Sequence, residues 1–217
     1  MKKKLSAPIT ASDEDVRALL VRYKCPVPFH EVRTRFLGNI ATPGMGISPV
    51  KVVESLWGGK LPEFDTLDAA NVLVGSLIMG LWNRLTRHQD RSAPFRLTRV
   101  QAEPTREELA TLALMRCQEL DGFIEGLFGG QEVADLPERA GRSLKDIGEF
   151  RGLFGAALNV VKDNTIEATT PSLETTLRHM REITKNAEHE MHAVVLACKR
   201  ARQSMMGSYS VTKPTLH

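Results

Sequence analysis

"LRHMREITKNAEHEMHAVVLACKRARQSM", residues 177–205, is the stretch that decides the fold of this chain. Its seam residues recur at alternating steps of three and four, and they are Leu177, Met180, Thr184, Ala187, Met191, Val194, Cys198, Ala201 and Met205. That spacing predicts one long α-helix with a narrow seam, which packs along a neighbouring helix or along a second copy of the chain. Thr170-Pro171 gives the helix its start, and Gly207 is predicted to end it after Met206. At ~1.5 Å rise per residue, the helix is expected to be about 50 Å long.

The remainder of the chain carries helix signals and lacks the period-two alternation that is typical of strands. Helices are predicted from Ser12 to about Tyr23, near Phe29–Ala41, at Pro49–Trp57, from Leu67 to about His88, from Thr105 to Gly129 and from about Leu144 to Val161. A connector is predicted near residues 90–104. The predicted fold class is therefore all-α, a single-domain multi-helix bundle over residues 11–206 with a long C-terminal helix. Flexible tails are predicted at residues 1–10 and 207–217.

The segment LWGGKLPEFDT, residues 56–66, has two possible interpretations. Its glycines and lysine resemble a phosphate-binding loop, but such a loop requires a strand, the pattern GxxxxGK[ST] and then a helix. Here a helix is predicted before the glycines and Leu61 follows the lysine, so we interpret the segment as a corner between two helices. Gly58 is predicted to take the left-handed turn that ends the first helix. Gly59 continues the corner, and Trp57 is assigned a structural role beside it.

Two ladders of small residues recur every four positions: Gly122, Gly126 and Gly130 in one predicted helix, and Gly148, Gly152 and Ala156 in another. A glycine inside a helix costs about 1 kcal/mol relative to alanine, so both ladders are expected to have a function in the fold. We assign Gly122, Gly126, Gly148 and Gly152 to close packing between helices. The alternative is a main-chain cradle for a ligand.

Composition excludes several classes of protein. The chain has 217 residues, 42% hydrophobic content and a net charge of +3, which is typical of a globular protein. Its longest uncharged run, Ala69–Asn83, is shorter than the roughly 20 apolar residues that cross a bilayer, and the N-terminus lacks the apolar part of a signal peptide. Cys25, Cys117 and Cys198 are odd in number and widely spaced. We therefore predict a cytoplasmic protein with no membrane segment, disulfide framework or cofactor.

The segment AEHEMH, residues 187–192, is the strongest candidate for chemistry. Glu188, His189 and His192 could share a metal on one helix face, but the HExxH spacing of metalloproteases is absent. The seam places both histidines on the opposite side of the helix, so we predict a solvated face and no metal. The chain also has no G-x-S-x-G nucleophile motif. The prediction is therefore a non-enzyme, with a metal-dependent enzyme as a lesser alternative.

Charge is unevenly distributed along the chain. Five arginines crowd one stretch that contains a single acid, Asp90, and they are Arg84, Arg87, Arg91, Arg96 and Arg99. Residues 103–138 contain nine acids against Arg106 and Arg116. The basic stretch could bind a nucleic-acid backbone, although only Phe95 interrupts it and no nucleic-acid motif accompanies it. Packing against acidic segments, within the chain or in a partner, is an equally good explanation.

Several stretches together resemble the YgfB/YecA-like family of bacterial proteins. They are FLGNIATPGMGISPVKVVESLWGGKLPEFDTLDAANVLVGSLIMGLWN, ELDGFIEGL and the ending KPTLH, and the match rests on Phe36, Leu37, Pro49, Trp57, Gly58, Phe64, Asn83, Gly122, Phe123 and Gly126. Arg35 stands where the family usually has glycine, and the Cys/His-rich tail of the YecA branch is missing. The resemblance implies an all-helical cytoplasmic protein without an established enzymatic activity, and it supplies no catalytic residues.

These observations predict a non-catalytic protein-interaction or regulatory protein, and a homodimer is a further possibility. The residues predicted to bind the partner are Arg84, Arg87, Arg91, Lys213, Pro214, Leu216 and His217. In the tail, Leu216 is an apolar anchor, and the carboxylate of His217 could be bound by main-chain amides in a groove.

Overall fold

The part of the chain that the structure describes is helical apart from its loops. The computed structural model describes residues 11–43, 48–129, 135–163 and 170–210, with the main chain alone at 170, 171 and 206–210. The helices are α1 (Asp13–Arg22), α2 (Phe29–Ala41), α3 (Pro49–Ser55), α4 (Leu67–Gly75), α5 (Asn83–Leu85), α6 (Arg106–Phe128), α7 (Glu138–Lys162) and α8 (Thr170–Ser210). A π-helical segment, Ser76–Trp82, joins α4 to α5, and a 3₁₀ turn, Thr86–Gln89, follows α5. The described ranges contain no strand, which confirms the single all-α domain with a long C-terminal helix.

Side-chain caps fix the starts of α1 and α6 where the sequence predicted them. The Ser12 hydroxyl accepts the Asp15 N–H at 3.1 Å, and the Asp15 carboxylate accepts the Ser12 N–H at 2.8 Å, which completes a capping box. Thr105 caps α6 in the same manner by accepting the Glu108 N–H. Gly129, with φ of 54°, ends α6 in the left-handed conformation.

The segment at residues 56–66 is a corner, as predicted. Gly58 and Gly59 have φ of 74° and 98°, which non-glycine residues rarely adopt. The indole N–H of Trp57 donates to the carbonyl oxygen of Tyr23 at 2.9 Å and so ties the corner to the end of α1. The preceding helix, α3, ends at Ser55, slightly before the predicted end at Trp57.

The apolar helix that was predicted from Leu67 to about His88 changes its winding along its length. Its middle part, Ser76–Trp82, is π-helical, and its last turn is a 3₁₀ helix. Gly80 lies in this part against Ala11, where an added Cβ would be 3.1 Å from the alanine Cβ. Leu77, Leu81 and Leu85 are all buried in the core. The prediction of one regular helix was therefore correct for its extent and wrong for its geometry.

The long helix α8 buries its seam within its own chain. α2 packs on α6, α6 on α7 and α7 on α8, and α8 also contacts α2 and α6. The buried seam residues are Leu177, Met180, Ala187, Met191, Val194 and Cys198. Met205, at the end of the seam, is 44% exposed. α8 continues through Gly207 to Ser210, so the predicted end at Met206 and the start of the C-terminal tail at 207 were too early.

The two glycine ladders have different surroundings. An added Cβ would lie 2.0 Å from the Arg35 carbonyl oxygen at Gly126 and 2.9 Å from the Glu31 carbonyl oxygen at Gly122, so both glycines allow α6 to approach α2. At Gly148 and Gly152 an added Cβ would meet no atom within 4 Å, because both lie on the exposed face of α7. The packing role assigned to Gly148 and Gly152 was therefore wrong. Gly130 lies outside the described residues. The helix itself, α7, begins at Glu138, earlier than the predicted Leu144.

Replacing Gly148 and Gly152 with alanine is expected to stabilise the protein. Each alanine should add about 1 kcal/mol to the free energy of unfolding, because it removes the glycine penalty from a helix interior and meets no neighbour. Each change should raise the Tm by about 2–4 °C for a domain of this size. Thermal unfolding followed by circular dichroism measures the effect. A fall in Tm for either variant would contradict the exposed placement of this face.

No helix in the described part of the chain combines the length and the apolar character that a membrane span requires.

Candidate functional site

The connector, residues 90–104, is held to the helices through its main chain. Residues 94–103 have no regular secondary structure. The Leu97 N–H donates to the Glu188 carboxylate of α8 at 2.9 Å, and the Thr98 N–H donates to the Glu119 carboxylate of α6 at 2.8 Å. The Arg116 guanidinium donates to the Thr98 carbonyl oxygen at 2.7 Å. Side chains from two helices thus satisfy main-chain groups that a neighbouring strand would bind in a sheet.

The inner side of the connector is apolar. Phe95, Leu97 and Ala102 are buried, and Phe95 lies with its ring edge-on to the His88 ring at a centroid distance of 5.2 Å. The Arg33 guanidinium lies over the Phe95 ring at 5.0 Å and donates to the Arg96 carbonyl oxygen at 3.2 Å. The connector is therefore part of the core, and its position is fixed relative to α2, α6 and α8.

Arg116 and Glu119 form an ion pair beneath the connector. Glu119 is fully buried, and Arg116 is 4% exposed. The guanidinium donates to the Glu119 carboxylate, and it also donates to the Thr184 hydroxyl of α8 at 3.2 Å. Two charges can be buried together when each compensates the other and the remaining polar atoms find partners, as they do here. The pair therefore links α6, α8 and the connector.

A groove runs between the connector, α6 and α8, and its lining carries mainly positive charge. Its volume is about 370 Å³. The cations that line it are Arg99, Arg116, Arg181 and Lys185. The acid in its lining is Glu188, whose carboxylate is already paired with the Arg96 guanidinium at an N–O distance of 2.6 Å. Because several cations face one compensated acid, the groove can hold an anionic group. We call it the connector groove.

Two cations of the connector groove have no bonding partner in the described part of the chain. Arg99 and Lys185 are exposed, and neither makes an ion pair or a side-chain hydrogen bond within the described residues. Arg181 donates to the Ala102 carbonyl oxygen at 3.2 Å, which leaves the rest of its guanidinium facing the groove. These side chains are therefore the ones that an anion can recruit.

The predicted basic stretch does not form one free surface. Arg84 donates to the Asp13 carboxylate and to the Ala11 carbonyl oxygen, and Arg96 is paired with Glu188. Arg87 and Arg91 are exposed without an ion pair among the described residues. Arg84 and Arg96 thus pair with acids of the same chain, but these acids, Asp13 and Glu188, lie outside the acidic stretch at residues 103–138. The predicted tail residues Lys213, Pro214, Leu216 and His217 lie outside the described residues.

The histidine-rich segment is not arranged as a metal site. Glu188 is buried and bound to Arg96 and Leu97, so its prediction as part of a solvated face was wrong. His189 is exposed, while His192 is half-buried. The described ranges contain no group of three metal-ligating side chains. Glu119 was missed as a site residue, and Glu188 was considered only as a metal ligand, because the acceptor role of each depends on connector residues that are distant in sequence.

Two histidines near the connector should make the stability depend on pH. Burial lowers the pKa of His88, whose Nδ1 lies 2.8 Å from the Ala93 carbonyl oxygen, and it also lowers the pKa of His192. The unfolded chain therefore takes up protons at a higher pH than the folded protein does. Stability should be fully present above about pH 6.5 and should fall as pH drops through the folded-state pKa.

Denaturant unfolding between pH 7.5 and pH 4.5 measures this dependence. His88→Gln should flatten the profile below pH 6.5, whereas His189→Gln, at an exposed site, should leave it unchanged. An unchanged profile in His88→Gln would show that His88 does not contribute to it.

Comparison with known proteins yields no family model, curated protein or solved structure that matches this chain. The resemblance to the YgfB/YecA-like family therefore stays a prediction from short motifs, and the function has to be argued from the geometry of the connector groove.

Proposed function

We propose that this protein is a non-catalytic interaction protein that binds an acidic segment of a protein partner in the connector groove. The observation that carries the proposal is the charge of the groove, where Arg99, Arg181 and Lys185 have no acidic partner among the described residues. The fourth cation, Arg116, is paired with Glu119, and the acid in the lining, Glu188, is compensated by Arg96. Association between complementary charges of this kind favours a correct partner and accelerates the encounter. Three free cysteines also favour a reducing compartment such as the cytoplasm.

The size and lining of the groove fit a short peptide segment. Its volume of about 370 Å³ falls in the range of cavities that hold small ligands or a few side chains. Its apolar lining residues are Leu97, Val100 and Leu112, of which Val100 is half-buried and so presents apolar surface beside the cations. An acidic segment with interspersed apolar residues would therefore find both a charged and an apolar surface.

The polar side chains of the groove support binding rather than chemistry. The Thr98 hydroxyl accepts a hydrogen bond from Arg33 at 3.2 Å. The Thr184 hydroxyl accepts one from Arg116 and donates to the Met180 carbonyl oxygen at 2.7 Å. Because Glu188 is also engaged, no hydroxyl of the groove has a base in position to activate it, which nucleophilic catalysis requires.

The predicted docking of the C-terminal tail concerns residues outside the described ranges and stays a prediction. The homodimer also stays a prediction, without support from the seam, because α8 buries most of the seam within the chain.

Charge reversal in the groove is expected to abolish binding of an acidic peptide. The probe is a fluorescent peptide of alternating glutamate and valine, measured by anisotropy at low salt. Arg99→Glu with Lys185→Glu should weaken binding at least tenfold, because each change replaces an attraction with a repulsion. The matched control is Arg87→Glu with Arg91→Glu, which makes the same charge change at exposed sites outside the groove.

Two outcomes would contradict the proposal. One is a wild-type protein that does not bind the acidic peptide at low salt. The other is a control variant that loses as much affinity as the groove variant, which would indicate an unspecific charge effect. A single-stranded oligonucleotide tests the nucleic-acid alternative in parallel. If it binds more tightly than the peptide and Arg87→Glu with Arg91→Glu abolishes its binding, the basic stretch is a nucleic-acid site.

A further inference from the structure

The connector is extended where it borders the groove. Thr98 is bound to Glu119 of α6, and the Glu103 N–H donates to the Glu108 carboxylate of the same helix. Glu108 and Glu119 are separated by about 16 Å along α6. The five residue steps from Thr98 to Glu103 would span about the same distance at the ~3.3 Å rise of a β-strand, so these two attachment points fit an extended connector.

Side chains of α6 and α8 hydrogen-bond to main-chain groups of this segment. Glu188 accepts from Leu97, Glu119 accepts from Thr98, and Arg181 donates to the Ala102 carbonyl oxygen. No strand lies beside the connector in the part of the chain that the structure describes. The segment therefore has the conformation of a strand without the neighbour that a strand normally has.

The middle of this segment has main-chain groups without a partner. Among the described residues, nothing hydrogen-bonds to the main-chain N–H or C=O groups of Arg99, Val100 and Gln101, and all three residues line the groove. Arg99 and Gln101 are exposed, and Val100 is half-buried. In an extended segment the N–H and C=O groups of Arg99 and Gln101 point to one edge and those of Val100 point to the other. An edge of unpaired donors and acceptors is the property that makes a strand bind another strand.

We infer that the ligand of the connector groove is an extended peptide that pairs with the main chain of residues 99–101 as an added strand. The inference rests on the proposed function and specifies how the acidic segment binds. Alternate side chains of such a peptide point to the same face, so acidic residues two apart would reach Arg99 and the cations of α8, Arg181 and Lys185.

The pattern of the unpaired groups favours a peptide over a nucleic acid. Residues 99–101 offer donors and acceptors in alternation, and a peptide main chain carries both. A phosphodiester backbone carries acceptors, so it could use the N–H groups and would leave the carbonyl oxygens unpaired. Buried main-chain groups without partners are unfavourable, which makes the peptide the better complement.

Hydrogen exchange tests the pairing directly. The full-length protein is labelled with ¹⁵N, and amide exchange is followed by NMR with and without the alternating glutamate-valine peptide. The peptide should slow exchange at least tenfold at one or more amides of Arg99, Val100 and Gln101. A second peptide of the same sequence, N-methylated at every amide, keeps the charges and loses the donors. It should bind at least tenfold more weakly than the parent.

The outcomes separate this inference from the proposed function. If the parent peptide binds but the amides of residues 99–101 exchange as in the free protein, the strand pairing is overturned and the charge-based binding stands. Equal affinity of the N-methylated peptide overturns the pairing in the same way. If the parent peptide does not bind at all, the proposed function fails and the pairing fails with it.

Discussion

Gly126→Ala is expected to destabilise the protein by about 3 kcal/mol or more. The new Cβ would lie 2.0 Å from the carbonyl oxygen of Arg35 and 2.8 Å from its carbonyl carbon. Both are main-chain atoms of α2, so no side-chain rotation can relieve the overlap. The two helices would have to separate along a contact that carries much of the core.

The measurement is denaturant unfolding, with the midpoint and its slope compared with the wild type. A loss of 3 kcal/mol corresponds to a fall of roughly 10 °C in Tm for a domain of this size. Gly148→Ala is the matched control, because it makes the same chemical change in a helix where the Cβ meets nothing. If Gly126→Ala were as stable as Gly148→Ala, the close approach of α2 and α6 would be wrong.

The same pair of glycines shows where prediction from the sequence ends. Both ladders repeat every four residues, and the sequence contains no difference that separates them. The difference lies in the tertiary structure, since the Gly126 face of α6 meets α2 and the Gly148 face of α7 meets solvent. Local signals were sufficient elsewhere: α2 spans Phe29–Ala41 as predicted, and the cap at Ser12 is in place. Residues far apart in sequence decide what a helix face contacts.

The candidate site was only partly predictable for the same reason. The sequence indicated a connector and an excess of arginine near it, and both are present in the structure. It did not indicate which arginines are already neutralised, because Asp13 and Glu188, the partners of Arg84 and Arg96, are distant in sequence. The groove cations of α8, Arg181 and Lys185, were not singled out, because they belong to a helix of mixed charge. The charge pattern along a chain therefore predicts where a charged region lies, but it does not predict which of its side chains are left without a partner in the fold.

The buried pair of Arg116 and Glu119 leads to the second large effect. Glu119→Gln is expected to destabilise the protein by about 3–5 kcal/mol. The glutamine can still accept the Thr98 N–H, but it no longer compensates the charge of Arg116, which is almost fully buried. A buried charge without a compensating partner is unfavourable because the interior solvates it poorly. The Tm should fall by roughly 10 °C.

A second variant distinguishes destabilisation by the uncompensated charge of Arg116 from destabilisation by lost packing. Arg116→Met with Glu119→Gln removes the guanidinium together with the carboxylate, so it should be more stable than Glu119→Gln alone. Glu138→Gln is the surface control, since its ion pair with Arg142 is largely exposed and should contribute less than about 1 kcal/mol. A double variant that is less stable than Glu119→Gln would show that the cost does not come from the charge of Arg116. Equal stability of Glu119→Gln and Glu138→Gln would show that water reaches the pair, and the connector could then not be fixed by it.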